Sequence, residues 1–238
     1  MRRLAFALVV IAVVSATSAC STTSTNATPG ATPYEPTIDP AAFSTTVDNP
    51  FLPLRPGMSW EYRTNTADGV ETTAVTVTST TKTIMGVECI EVRDTVSLDG
   101  VVKEDTLDWY AQHRDGTVWY FGEDTKEYED GKVVSTEGSW IAGVDGAQPG
   151  IVMPAQPKVG EAYRQEYYKG HAEDMAEVVG LTDSATVPAG HFAGTLKTKD
   201  YTPLDPDLIE NKYYARGVGV VLTVDKGGGR DELVHFSG

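Results

Sequence analysis

Six aromatic side chains, Trp109, Trp119, Tyr120, Phe121, Trp140 and Tyr213, hold most of the chemical potential of this sequence. Rings of this size on a curved β surface would line a pocket for an apolar or ring-shaped small molecule, and they are the candidate ligand-binding residues. Neighbours such as Trp109-Tyr110 and Trp119-Tyr120 point to opposite faces of a strand. One ring of each pair therefore enters a core while the other lines the opposite surface. Hydrolysis of a glycan would instead need two carboxyls flanking a scissile bond, for which Glu123, Asp124 and Glu127 are the densest supply. Density alone assigns no catalytic residue. A Gly-x-Ser-x-Gly elbow is missing, since Ser139 in Glu-Gly-Ser-Trp lacks the second glycine. His113, His171, His191 and His235 never stand two to four residues apart, and no regular Asp-x-Asp-x-Asp loop with a closing Glu occurs. Neither a metal site nor a cofactor is expected.

The elements that must hold these residues are strands. Asp-Gly dipeptides begin at Asp68, Asp99, Asp115, Asp130 and Asp145, and such pairs tolerate the positive φ of tight hairpin turns. Between them, runs such as 71–78, 87–98 and 101–110 are rich in Val, Thr, Ile, Trp and Tyr. Within 88–96, Ile90, Val92 and Val96 share one face and Glu91, Arg93 and Thr95 the other, which predicts a strand wet on one side. The expected fold is all-β, an antiparallel meander forming a curved sheet or partly open barrel.

The sequence also repeats. Pro53-x-x-Pro56-Gly57-x-x-Trp60 is echoed by Pro154-x-x-Pro157 and Gly160-x-x-Tyr163, with the aromatic positions 103 apart. Thr83-Ile84 is echoed by Thr186-Val187, and Trp109-Tyr110-Ala111 by Tyr213-Tyr214-Ala215. Three anchors in one order predict two similar units, about 50–121 and 151–224, around an insert at 122–150. This comparison decides one local conflict. Ala172, Met175, Ala176 and Val179 have helical spacing, yet the matching stretch 68–76 is Thr- and Val-rich, so 175–182 is read as a strand. In the insert, 126–129 and 132–136 flank Asp130-Gly131 as a projecting hairpin before a glycine-rich loop, expected to be free as a flap or docking surface.

The N-terminus fixes an expected location. Met1-Arg2-Arg3, the uncharged apolar run 4–14 and the small residues up to Ala19 form an export signal, residues 1–19, too short to span a bilayer. Ser18-Ala19-Cys20 resembles a bacterial lipoprotein box, in which the cysteine is acylated, with palmitate among the possible chains, and becomes the new N-terminus; Thr17 replaces the usual Leu. The expected partner is the membrane, reached through a lipid anchor at Cys20, on the outer face of the cytoplasmic membrane or in the cell envelope. Residues 20–42 follow as acylated cysteine and flexible tether, and 43–238 as a single β domain. Cys89 lies in an apolar run, so no disulfide is expected. Loss of Arg2 and Arg3 with the signal leaves 17 basic against 34 acidic side chains, a net charge of −17 that repels nucleic acid.

Asn49-Pro50-Phe51-Leu52-Pro53-Leu54 with Pro56-Gly57, and Asp108-Trp109-Tyr110-Ala111-Gln112 running on to Thr125, carry a resemblance. From Asn49 onward the chain resembles a family of uncharacterised exported bacterial proteins and lipoproteins, and the resemblance implies no activity and no site residues. In architecture alone it is similar to the curved sheets of lipoprotein-carrier and lipocalin-like folds. The expected function is that of a non-enzymatic extracytoplasmic lipoprotein whose β domain binds an apolar ligand or an envelope protein. The alternatives are an envelope glycan hydrolase with paired carboxylates and a cation-stabilised structural module.

Overall fold

The computed structural model describes residues 34–238 and, before them, two short paired strands, β1 (Arg2–Arg3) and β2 (Leu8–Val9). Cys20 and most of the expected signal and tether lie outside the described residues. A 3₁₀ turn at Pro40–Ala42, capped by the Asp39 carboxylate, leads into β3 (Phe43–Ser44). A five-strand meander follows, made of β4 (Ser59–Thr66), β5 (Gly69–Ile84), β6 (Val87–Leu98), β7 (Val101–His113) and β8 (Val118–Glu129). Three short strands, β9 (Lys132–Ser135), β10 (Trp140–Ile141) and β11 (Gln148–Met153), all lie back along β8. The second half holds β12 (Ala162–Arg164), β13 (Glu166–Tyr167), β14 (Met175–Val187), β15 (Gly190–Thr202), β16 (Asp205–Ala215), β17 (Gly219–Asp225) and β18 (Arg230–Ser237). The stretch 175–182 is thus a strand despite its helical spacing.

Turn chemistry follows the sequence. Asp99-Gly100 and Asp130-Gly131 have positive φ at both residues, as does Met85-Gly86, which nothing in the sequence marked. Mirror-image two-residue turns of this kind match the strand twist. At Asp115-Gly116 only the glycine is left-handed. There Gly116 N–H donates to the His113 carbonyl and His113 N–H to that of Thr117, the bonding of a type I turn closed by a bulge.

The strands form one antiparallel sheet rolled into a nearly closed barrel. Its order runs β12-β14-β15-β16-β17-β18-β4-β5-β6-β7-β8-β11-β13. The two terminal strands are neighbours in the chain, parted only by Gln165, so one segment pairs with β14 through its first half and with β11 through its second. Here lies the single seam. A Cβ on Gly150 would sit 2.3 Å from the Gln165 carbonyl carbon, so the backbones meet there only because the residue is glycine. Outside the seam, the Tyr34 hydroxyl donates to the Pro149 carbonyl and its ring meets Tyr167 edge-on.

Residues 47–58 close one end of the barrel. Asn49 Nδ2 donates to the Gly116 carbonyl, and Gly217 N–H to that of Pro50. Val47, Phe51, Leu52, Leu54 and Met58 then join Trp60, Ile90, Tyr110 and Leu233 in the main core. The hairpins beginning at Ala67, Asp99, Asp130 and Pro203 ring the other end. Most of the insert is wall rather than flap, because Trp140 pairs with Glu123 and Gly150 with Tyr120. Only the β8–β9 hairpin projects.

Candidate functional site

Alternation along the meander decides which side chains enter the barrel. On β6, Ile90, Val92 and Val96 face inward as their pattern predicts, and Asp94, 2% exposed, stands on the same face. On β7 the inward row is Glu104, Thr106, Asp108 and Tyr110. Asp108 pairs directly with Glu123 of β8, and Thr106 with Thr125. In the second half the matching row is Thr198 and Asp200 on β15 with Glu210 and Lys212 on β16. The barrel is therefore aromatic and apolar near its capped end and carboxylate-rich beyond it.

Asp108, Glu123 and Glu166 form the centre of this acidic interior. The Tyr120 hydroxyl donates to Asp108 Oδ1 at 2.5 Å, while Asp108 Oδ2, buried, has no hydrogen-bond partner. Trp140 Nε1–H donates to Glu166 Oε2 at 2.8 Å. Tyr120 stacks on Tyr110, with ring centroids 4.8 Å apart, and meets Trp140 edge-on at 5.2 Å. Burial pushes the Asp108 carboxyl up from its ordinary 3.8 to about 7, against the pull of the Tyr120 hydrogen bond. Burial, then the charges of Glu166, Asp108 and Glu104, hold Glu123 well above the usual carboxylate range. Burial and then Asp174 do the same to Glu166, although the Trp140 hydrogen bond opposes them. None of the three makes an ion pair with a described lysine or arginine.

Asp200 is held differently. Lys212 Nζ stands 3.3 Å from its Oδ2, the Thr198 hydroxyl donates to Oδ1 and Gln165 Nε2 donates to Oδ2. Beside it, Gln165 Oε1 and the Tyr163 hydroxyl are buried without partners.

The six aromatic residues singled out from sequence divide between the two faces. Tyr120 and Trp140 come together inside the barrel against Asp108 and Glu166. Trp109 lies on the opposite face of β7, its ring covered by Lys82 Nζ at 3.4 Å from the centroid. Phe43 wedges edge-on against Trp119 and Phe121, and Lys197 lies over Tyr213. The same alternation separates the three carboxylates of the insert, turning Asp124 outward to Lys126 while Glu123 faces in. Asp94, Asp108 and Glu166 were not singled out by sequence. One signal was available, a lone Asp94 between Val92 and Val96 on an otherwise apolar face.

Two other chemistries are limited by geometry. Among the described residues no three His, Cys, Asp or Glu side chains gather closely enough to hold a metal ion. Cys89 is fully buried and its thiol is pushed up to about 12, chiefly by that burial, so it keeps its proton near neutral pH.

No family model matches the chain, and no curated protein does. Among solved structures it is similar to a "putative lipoprotein" from Parabacteroides distasonis ATCC 8503, at 14% identity and a TM-score of 0.43, covering 79% of this chain and 98% of that one.

Proposed function

We propose that this chain is an exported, lipid-anchored envelope protein whose barrel binds an organic cation rather than a purely apolar molecule. The observation that carries the reading is the group Asp108, Glu123 and Glu166, three buried carboxyls on β7, β8 and β13 without a basic partner among the described residues. Buried like charges are costly unless they hold protons or meet a cation. A bound cation offsets both their desolvation and their mutual repulsion. Tyr110, Tyr120 and Trp140 stand beside them and offer ring faces to a positively charged group. Because these carboxyls are spread over several strands, they suit an extended organic cation better than a point ion.

Location rests on residues 1–20, with Cys20 as the lipid-bearing residue. The barrel's outer face carries Glu61, Arg63 and the Arg93–Asp105 ion pair, a surface suited to water and not to hydrocarbon. Anchoring then falls to the lipid on Cys20. Native mass spectrometry and calorimetry of the exported chain carrying Cys20→Ser, titrated with spermidine and with laurate, test the binding. Uptake of spermidine, weakened by salt, is the expected result; uptake of laurate alone would overturn it.

A hydrolytic role for the same carboxyls is the second reading. It is favoured by the direct pairing of Asp108 with Glu123 across β7 and β8, and burial pushes the Asp108 carboxyl up to about 7, where a general acid can hold its proton near neutral pH. Glycan turnover abolished by Asp108→Asn would support it, and no turnover on a broad glycan panel would remove it.

A further inference from the structure

The two halves of the barrel carry ladders of the same register, and at one place their side chains carry opposite charge. Ile90 pairs with Tyr110, and Leu196 with Tyr214. Two residues along, Val92 pairs with Asp108, and Thr198 with Lys212. One step further, Asp94 pairs with Thr106, and Asp200 with Glu210. Asp94 and Asp200 thus hold equivalent places, and so do Asp108 and Lys212. In the second half the place is filled by an ammonium, which lies 3.3 Å from Asp200 Oδ2. In the first half the same place carries another carboxylate, facing Glu123 across the β7–β8 pair.

We propose that the first half binds a primary alkylammonium group beside Asp108, whose ladder place Lys212 fills in the second, with Asp108 and Glu123 as its carboxylate partners. Asp108 Oδ2 is fully buried on the inward face and has no donor, so a ligand N–H completes it where the Tyr120 hydroxyl completes Oδ1. An ammonium brings three donors. Asp108 Oδ2 and Glu123 take two of them, and the stacked rings of Tyr110 and Tyr120, the latter's hydroxyl meeting Asp108, give its alkyl chain an apolar neighbour. A quaternary ammonium has the charge but no N–H, and leaves the buried oxygen unsatisfied. This inference rests on the cation-binding reading above and narrows it to one class of head group.

The test uses n-butylammonium, which reproduces a lysine side chain from its Cβ outward, and butyltrimethylammonium, with spermidine as the general probe. Affinities are read by NMR titration of the exported chain with Cys20→Ser. The expected results are at least tenfold tighter binding of n-butylammonium than of the quaternary ion, and at least tenfold weaker binding in Asp108→Asn. Asp108→Lys supplies the ammonium from within, and should abolish n-butylammonium binding while keeping a melting temperature no lower than that of the wild type. Equal affinities for the two butyl cations, or n-butylammonium binding retained in both variants, would overturn the inference and leave cation binding standing. Binding of spermidine with no binding of either butyl cation would overturn it too. If no cation binds, spermidine included, the cation-binding reading itself fails. Should Asp108→Lys not fold, the Asp108→Asn titration decides alone.

Discussion

Replacing Asp108 by Asn should make the protein more stable at neutral and alkaline pH while weakening cation binding. Asn keeps the volume, and its amide oxygen can still accept from the Tyr120 hydroxyl that now donates to Asp108 Oδ1. What it removes is an ionisation that the fold opposes. Burial pushes the carboxyl up to about 7 in the folded protein against an ordinary 3.8, a difference that corresponds to about 4 kcal/mol. Because the folded value is raised, the folded state holds this proton more tightly than the unfolded chain does. The group's contribution is fully present below pH 3.8, fades as pH rises, and is lost once pH passes about 7. The advantage of Asp108→Asn over the wild type should therefore be near zero around pH 4, grow through the range between, and reach up to about 4 kcal/mol at pH 8. For a domain of this size that is on the order of 10 °C in melting temperature. Relief of repulsion on Glu123 and Glu166, both of which feel the Asp108 charge, acts in the same direction. Urea and thermal unfolding of both proteins, followed by circular dichroism from pH 4 to 8.5, give the difference directly. A stability difference that does not change with pH, or a variant less stable at pH 8, would refute the reasoning, since either would mean that the folded protein already stabilises the Asp108 anion.

The other expectations concern the partner half, the seam and the anchor. Lys212→Met should strip the buried Asp200 of its counter-charge, with Lys212 4% and Asp200 0% exposed in their side chains, and cost about 3–5 kcal/mol in urea unfolding. Adding Asp200→Asn should restore a good part of that, and an additive double mutant would show that the pair is not coupled. Gly150→Ala places a methyl against the Gln165 backbone and should destabilise by about 3 kcal/mol or more, with hydrogen exchange rising first in β11 and β13; unchanged stability would mean the seam is loose. Cys20→Ser should move the chain from the membrane fraction to the soluble envelope fraction, and an unchanged distribution would exclude lipid anchoring.

Much of the fold is legible in the sequence because its cues are local. Asp99-Gly100 and Asp130-Gly131 mark hairpins by backbone chemistry alone, and the Val, Ile and Thr runs between them have no other stable use. Matching 175–182 to a Thr- and Val-rich counterpart sufficed to overrule a helical pattern, and β14 is the outcome. The seam was not legible, since it depends on Gly150 and Gln165 meeting across the barrel rather than on either residue's type. The interior was not legible for a related reason. A period of two tells which residues share a face, yet not which face turns inward. On β7 one face offers Leu107, Trp109 and Ala111, the other Glu104, Thr106, Asp108 and Tyr110. A hydrophobicity rule turns the first inward, but the fold buries the second and covers Trp109 from outside with Lys82. Burying Asp108 together with Glu123, on paired strands, leaves the folded protein short of the stability an apolar row would give it. A fold retains such a pair at a loss when the pair serves something else, and Asp108 and Glu123, which meet no lysine or arginine among the described residues, fit a cation supplied from outside.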